Sequence, residues 1–346
     1  MPTKPDVRLE IAGTLYGGWT SISVRRGLDQ VAGTFDLAVT ERWPGSDIPR
    51  PIRPGEACRL LVDGAAVVTG HVDDVQPSYD ATSHTVSVSG RDKTGDLVDC
   101  SAPSVQWMGR SLPQVAADLC RPFGIAVRAE CPCAAPFQRL KNNEGDSVFD
   151  TLAAAARVRA VLLVTDGSGD LILTRAGTGP RVSTVLELGE NILSASAAFS
   201  MRDRYSAYTV KGQGVGSDEW DAEAAAHPSG SASDPRVPRH RPLTILAEEQ
   251  TDAASARERA LWEAASRYGR GRSVTVTVLG WSHASGLWAP GQSVRVRDSW
   301  IGLDESLLVS RTAYTLDGKG WRCELTLMPA EAWKLLAVPE PDDGGW

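Results

Sequence analysis

The sequence predicts a mainly β chain with α+β insertions, comprising two similar antiparallel β-barrel domains and two smaller α/β domains. Three observations point there. One strand grammar occurs near both ends: Pro54-Gly55, a short alternating stretch at 58–62, a longer one at 67–72 running toward Tyr79, and a last strand at 85–89. It returns as Pro290-Gly291, residues 294–296, 307–310 running toward Tyr314, and 323–327. A repeat of two is too few for a solenoid, which needs at least three stacked units. Between the copies the pattern changes, with helical periodicity at 111–120, 146–156 and 247–267.

The elements follow in order. Residues 19–24 and 34–39 alternate with period two and are bounded by turn clusters at 28–33 and 43–47, as half-buried strands of a barrel or sandwich are. These and the first repeat make residues 1–98 a first β-barrel. Residues 99–176 read as a small α/β domain. In it, Ser111 caps a helix with Pro113 in its first turn, and Asp146 or Ser147 caps a second carrying Val148, Phe149, Leu152, Ala153 and Ala156. A hairpin at 161–173 turns through Asp166-Gly167-Ser168-Gly169-Asp170, whose acids hint at calcium but lack the remaining ligands of an EF-hand loop. Strands resume at 184–188 and 204–212. Residues 217–242, rich in Asp, Ala, Ser and Pro, predict a long surface loop or a partly ordered insertion, and a helix over 247–267 follows with Ala254, Leu261, Trp262 and Ala265 inward. Together these form a loop-plus-helix insertion at 217–270. A second barrel takes 177–216 and 271–335, and 336–346 is a flexible polar tail.

Composition bounds function. The chain has 346 residues, enough for several cores, with 42% hydrophobic and 23% charged residues, ordinary for a globular protein. No apolar run approaches the roughly 18 residues of a membrane helix, and residues 1–6 carry no secretory apolar region. A net charge of −7 argues against a dedicated duplex-DNA binder and against an anionic membrane, and suits a surface that must not adhere to nucleic acid. Eleven Trp against five Phe is a skewed ratio. Trp281 and Trp288 are expected in barrel cores, while other Trp fit interface anchors.

Candidate chemistry is sparse. No phosphate-binding glycine loop, dinucleotide fingerprint, zinc-protease helix or serine nucleophile elbow occurs. Asp73-Asp74 are neighbours on a strand and point to opposite faces, so they cannot serve as a facing acid–base pair. His71 and His84 fall in strands, facing solvent or a neighbouring strand. Cys100, Cys120, Cys131 and Cys133 are the one candidate thiolate set. Cys131-Pro132-Cys133 is a C-x-C pair rather than a zinc knuckle, so buried thiols without metal are expected. The segment 90–100 packs Arg91, Asp92, Lys93, Asp96 and Asp99 around Leu97 and Val98, and its alternating charges predict mutual pairing at a domain junction.

Several segments, taken in order, carry a resemblance: residues 19–24 with Gly33-Thr34-Phe35, then 90–100, 118–124, 189–193 and 204–212. Arg239-His240-Arg241-Pro242, Gly280-Trp281 and 287–290 complete it. They span most of the chain, which resembles the phage Mu-like baseplate hub protein family, related in fold to the central hub of larger contractile-tailed phages. The chain stops soon after Trp333, short of the polar C-terminal extension expected in some relatives. The resemblance implies a structural protein of the virion tail baseplate, assembled in the host bacterial cytoplasm, with no cofactor, no catalytic residues, no membrane insertion and no specific nucleic-acid binding. It implies a homotrimer whose two barrels per chain make a pseudo-six-fold ring between a hexameric tail tube protein and a trimeric central spike protein, with other baseplate proteins nearby and DNA passing through. Two alternatives stay open: a tail-associated cell-wall hydrolase with paired carboxyls in the 100–177 region, and a metal-stabilised module using the clustered cysteines.

Overall fold

The computed structural model describes residues 4–40, 52–82, 84–213, 228–250 and 252–338. Two compact units are present, one taking the described residues up to Ala195 with 275–327 and 337–338, the other 196–274 with 328–336.

The first module of the larger unit comprises β1 (Val7–Ile11), β2 (Thr14–Tyr16), β3 (Ser21–Gly27), β4 (Thr34–Thr40), β5 (Ala57–Val62), β6 (Ala65–Tyr79) and β7 (His84–Asp92). Their spatial order is β3-β4-β7-β6-β5-β1-β2, antiparallel throughout. Period-two alternation sends Val7, Leu9, Ile11, Ile22, Val24, Phe35, Leu37, Leu60 and Val62 into one core layer. The β5–β6 hairpin turns through Asp63-Gly64, both at positive φ (50° and 81°), the primed turn whose twist matches the strands. Gly90 is required by close approach: a Cβ there would lie 2.6 Å from the Phe35 ring and 2.2 Å from the His71 carbonyl oxygen. The expected strand alternation at Asp73-Asp74 does not hold. A register shift between Val72 and Asp74 makes a bulge, and both carboxylates are exposed.

Next come α1 (Gly95–Asp99), β8 (Gln106–Met108), α2 (Leu112–Cys120), β9 (Val127–Ala129), β10 (Arg139–Lys141), α3 (Val148–Val158), β11 (Leu162–Thr165) and β12 (Leu171–Thr174). The Ser111 N–H donates to the Gln114 side chain at 3.0 Å, completing a capping box at α2. At α3 it is Ser147 that caps, accepting from the Asp150 N–H at 3.0 Å. The two helices bury Leu112, Val115, Leu119, Val148 and Leu152 against Phe137, Leu140, Leu171 and Leu173, in a core that also takes in Val31 of the first module.

The chain returns through β13 (Arg181–Glu187) to β14 (Ile192–Phe199) and then builds the smaller unit from β15 (Ala207–Gln213), β16 (Ser229–Ser233), β17 (Pro242–Gln250) and α4 (Ala253–Arg270). Here three expectations change. Of the loop expected over 217–242, residues 217–227 lie outside the described residues, and Ser229–Ser233 is a strand paired antiparallel to β15. The helix expected from 247 begins later, because residues 242–246 extend a parallel ladder on β15 and Asp252 supplies the cap, accepting from the Ser255 N–H at 2.7 Å. Its buried face is not the large apolar one. Ala256, Ala260, Glu263, Ser266 and Gly269 face inward while Leu261 is exposed. The reason is backbone contact: a Cβ on Gly230 of β16 would stand 2.1 Å from the Arg257 nitrogen, so only small side chains fit where that strand crosses, at Ala256 and Ala260. Arg204 and Asp234 form a buried ion pair in this unit, only 5% and 3% exposed, with Nη2 to Oδ2 at 2.7 Å and Nε to Oδ2 at 3.1 Å.

The second module finishes the larger unit with β18 (Arg272–Leu279), β19 (Ser282–His283), β20 (Gly286–Leu287), β21 (Ser293–Asp298), β22 (Leu303–Asp317) and β23 (Gly320–Met328). Its strands take the order β14-β18-β23-β22-β21-β13, the order of β3-β4-β7-β6-β5-β1 in the first module. The central triplet even repeats in length, with 6, 15 and 9 residues in each copy. One difference is that β13 joins β21 in parallel where β1 joins β5 antiparallel. The modules are not separate sheets. The far half of β22 pairs with β3, from Arg311↔Gly27 to Leu316↔Ile22, so that thirteen strands share one sheet among the described residues. Trp281 and Trp288 are buried as expected, Trp281 stacked on Tyr314 at 5.3 Å, and the Tyr314 hydroxyl donates to the Trp288 carbonyl.

Two outcomes follow from burial. Asp234→Ala leaves the Arg204 guanidinium buried and unpaired and should cost about 3–5 kcal/mol in urea unfolding. Burial against Trp288 lowers the pKa of His283. The unfolded chain therefore takes up that proton first as pH falls, so this contribution is complete above the ordinary histidine value and is lost below it. The urea midpoint should drop between pH 7.5 and 5.5, and less in His283→Gln.

Candidate functional site: a junction and a polar sheet face

The segment that ends β7 and opens α1 holds the charged residues singled out in the sequence. Arg91 bridges two carboxylates, with Nε to Asp73 Oδ2 at 2.8 Å and Nη2 to Asp99 Oδ2 at 2.8 Å. This holds the Asp99 carboxyl below its usual range and raises the guanidinium. Asp92 is turned inward instead. It accepts from the Gly33 N–H at 2.6 Å and the Thr94 N–H at 2.9 Å, and also from the Thr94 hydroxyl, which is shared toward the Val31 carbonyl at 3.0 Å. Burial raises the Asp92 pKa against the pull of those donors. Lys93 reaches across to the α/β lobe, with Nζ 3.6 Å from Asp170 Oδ1 and donating to the Gly124 carbonyl at 3.2 Å. Asp96 lies 4.0 Å from His71 Nδ1.

The hairpin turn between β11 and β12 meets the same strands. Its Gly167 would place a Cβ 2.1 Å from the Ala66 carbonyl oxygen, and Gly169, at φ +71°, one 2.4 Å from that of Thr69. The Thr69 hydroxyl donates to the Gly167 carbonyl at 2.8 Å, and Arg26 Nη2 to that of Thr165 at 3.0 Å. The sequence showed a hairpin turn there but not what the turn docks on. Asp166 and Asp170 serve the turn and its surroundings: Asp166 accepts from the Ser168 N–H at 2.8 Å and Asp170 from the Ala126 N–H at 3.3 Å.

The four clustered cysteines do not converge. Cys100 is exposed and Cys120 buried in the helical core. Cys131 donates to the Leu173 carbonyl at 3.6 Å. Burial pushes the Cys120 thiol up to about 12, and burial with the adjacent Cys131 pushes Cys133 up to about 11. Among the described residues no group of three or more His, Cys, Asp or Glu could hold a metal ion, and no helix is long and apolar enough to cross a membrane.

The sheet's second face is the other functional candidate, and the sequence alternation alone did not single it out. Pairing registers place residues in rows across five strands. One polar row runs Thr315, Ser23, Asp36, Ser89, Asp74, and a second runs Ser21, Ala38, Ser87, Gln76. Between them lies an apolar row, Leu316, Ile22, Leu37, Val88, Val75, directed to the core. The two polar rows contain small side chains, two carboxylates and no cation. Of these, Ser21, Asp36, Ala38, Gln76, Ser87 and Ser89 line a shallow groove of about 220 Å³.

A duplicated β module with a helical lobe inserted after the first copy and a second unit inside the other is an architecture shared with phage tail proteins. Residues 6–92 match the family described as Mu phage baseplate assembly protein GpP-like, N-terminal; 94–175 match baseplate hub protein gp44-like, second domain; and 252–336 match Mu phage baseplate assembly protein GpP, fourth domain. The chain is 36% identical to baseplate hub protein gp44 of Escherichia phage Mu over 339 residues, covering 94% of this chain and 88% of that one. It belongs to the Mu-like phage baseplate hub protein family. Among solved structures it is similar to the 43 kDa tail protein of prophage MuSo2 from Shewanella oneidensis, with a TM-score of 0.84, 35% identity, and coverage of 96% and 100% of the two chains. The tail protein from Neisseria meningitidis MC58 shares the fold at a TM-score of 0.80 and 24% identity, over 97% and 100% of the chains.

Burial separates the junction residues in a testable way. Asp92→Asn points an amide donor at backbone donors and should cost about 1–3 kcal/mol. Arg91→Ala removes two half-exposed pairs and should cost no more than about 1 kcal/mol, an effect that shrinks at high salt. Thermal unfolding of both variants at low and high salt reads the contrast.

Proposed function

We propose that the chain is the structural baseplate hub of a contractile phage or prophage-derived tail. Three copies form a pseudo-hexameric ring that adapts the hexameric tail tube to the trimeric central spike and lets DNA pass. The observation that carries this is the duplicated module: three chains bring six copies of one strand order, which matches six-fold geometry on one side while the chain itself repeats three times. The lobe between β7 and β13 occurs once per chain and supplies the three-fold character. The junction built on Arg91, Asp92 and Lys93 sets the angle of that lobe to the first module.

The polar rows suit a channel wall. Adhesion to a polyanion grows with each phosphate a cation neutralises, and these two rows offer Asp36 and Asp74 with no Lys or Arg. Of the two cations in the next row of the same face, Arg25 and Arg91, the second is held by Asp73 and Asp99. On this reading the protein works by geometry and has no catalytic centre. Its partners are the tube protein, the spike protein and other baseplate proteins, and it assembles in the host bacterial cytoplasm before entering the virion. Against a hydrolase, carboxylates of the α/β lobe itself are engaged, Asp118 by Arg110, Glu130 and Asp166 by Arg128, Asp170 by Lys93 and Asp150 by Ser147.

Light scattering with negative-stain imaging of the purified chain should give three subunits in a ring with a central hole, and a peptidoglycan gel should show no clearing. A chain that stays monomeric at assembly concentrations, or that clears the gel, would overturn the proposal.

A further inference from the structure

We infer that the smaller unit carries a docking surface for an acidic polypeptide segment of a partner protein, at the end where β15 begins and α4 finishes. The inference goes beyond the hub reading and stands on this unit alone.

Three short segments converge there. Residues 199–206, 234–241 and 263–272 hold eight arginines and no lysine against three carboxylates, in a chain whose net charge is −7. Strand pairing brings two of them together, because Ala207 of β15 lies opposite Ser233 and beside Pro242. The last turns of α4 close over the same end. Arg267 Nη1 donates to the Asp203 carbonyl at 3.4 Å, and Arg204 and Arg236 stack on Tyr268 at 5.0 and 4.3 Å.

The arginines divide into two layers. The inner ones serve the unit itself. Arg204 is buried on Asp234, and Arg267 pairs with Glu263 at 2.9 Å. Arg241 donates to the Met201 and Arg202 carbonyls, both at 2.8 Å, and so fixes the loop that presents Arg202. The outer ones, Arg202, Arg239 and Arg270, are exposed and have no carboxylate partner among the described residues. The Arg236 side chain is 61% exposed, and Asp234, 3.8 Å away, is already taken by Arg204. Like charges gathered without an internal answer repel one another, and carboxylates from a partner relieve that.

The type of cation narrows the ligand. A guanidinium presents a planar fork that holds a carboxylate or phosphate through two N–H groups. Nucleic acid fits this surface less well than protein does. Single strands bind by stacking bases on aromatic faces, and Tyr205, Tyr268 and Trp262 each already meet two or more guanidinium groups. The chain's overall negative charge also opposes a long polyanion, whereas a short segment feels chiefly the charges within about 10 Å. Phe199 and Met201 beside the cations are 49% and 41% exposed, a seat for one apolar side chain. The ligand is therefore a short run of Asp and Glu with an apolar residue among them.

The test is fluorescence anisotropy of a labelled peptide of alternating Asp and Glu with one central Leu, titrated with the full-length chain. Binding should saturate. Arg202→Ala, Arg236→Ala and Arg239→Ala together should weaken it at least about tenfold, with the thermal midpoint little changed. Arg239→Glu alone, at an exposed position, should weaken it about threefold and reads the same surface if the triple variant is unstable. Replacing Arg121, Arg139 and Arg157, exposed arginines of the larger unit, by Ala should leave binding unchanged. Equal weakening by that second set means that the peptide senses only overall charge, and the docking surface is then wrong. Absence of saturable binding to the parent chain overturns it too. An oligonucleotide of equal charge, single-stranded or duplex, that binds more tightly than the peptide assigns the surface to phosphate and rejects the inference. None of these outcomes depends on how many subunits the chain assembles, so the hub reading stands or falls separately.

Discussion

The ladder between β3 and β22 is the constraint on which the larger unit depends. It exists because β22 is fifteen residues long and serves different neighbours along one edge, first β21 and then β3. That length lets core rows run unbroken from the second module into the first, Tyr314 beside Val24, Phe35, Gly90 and Val72. Gly90 has no side chain because Phe35 fills the space. A shorter β22 would leave two small sheets, each with raw edges and a thinner core. The duplicated module therefore gains from being one sheet, and the polar rows on the opposite face inherit the same continuity.

Around that sheet, insertions enter where the module tolerates them. The α/β lobe follows β7, and the smaller unit falls between β14 and β18, where the first module has only the short link from β3 to β4. Each carries its own core, the lobe around Leu112, Leu152 and Leu171 and the smaller unit around Tyr208, Val210, Ala256 and Ala260. Neither insertion changes the strand order of its host module. The lobe is fastened by backbone contact at Gly167 and Gly169 and by the Arg91, Asp92 and Lys93 contacts, so that its seating depends more on buried hydrogen bonds than on the surface ion pairs.

What the sequence disclosed follows physical lines. The strand triplets were legible because Pro-Gly turns and alternating β-branched residues advertise half-buried strands. The capped helices at 112–120 and 148–158 were legible for the same local reason, since Ser111 and Ser147 stand where caps must. β14 and β16 were missed because Ser, Ala and Gly carry little strand signal, and β14 buries no face to leave a pattern. The inner face of α4 was misread because large apolar residues usually mark it, whereas close approach of Gly230 selects Ala256 and Ala260. In the junction, opposite charges were visible, but Asp73 as a partner of Arg91 and the Gly33 backbone as a partner of Asp92 depend on strands distant in sequence. The polar rows depend on pairing register, which a single strand does not encode.

The pairing of Ile22 with Leu316 joins positions near opposite ends of the polypeptide. On the ribosome, β3 emerges long before its mate, and closing so long a loop is slow. A truncated product lacks the strand that completes its sheet, so it cannot acquire the finished surface. Sheet completion therefore distinguishes a whole chain from one cut short of β22, which would leave the β3 edge bare.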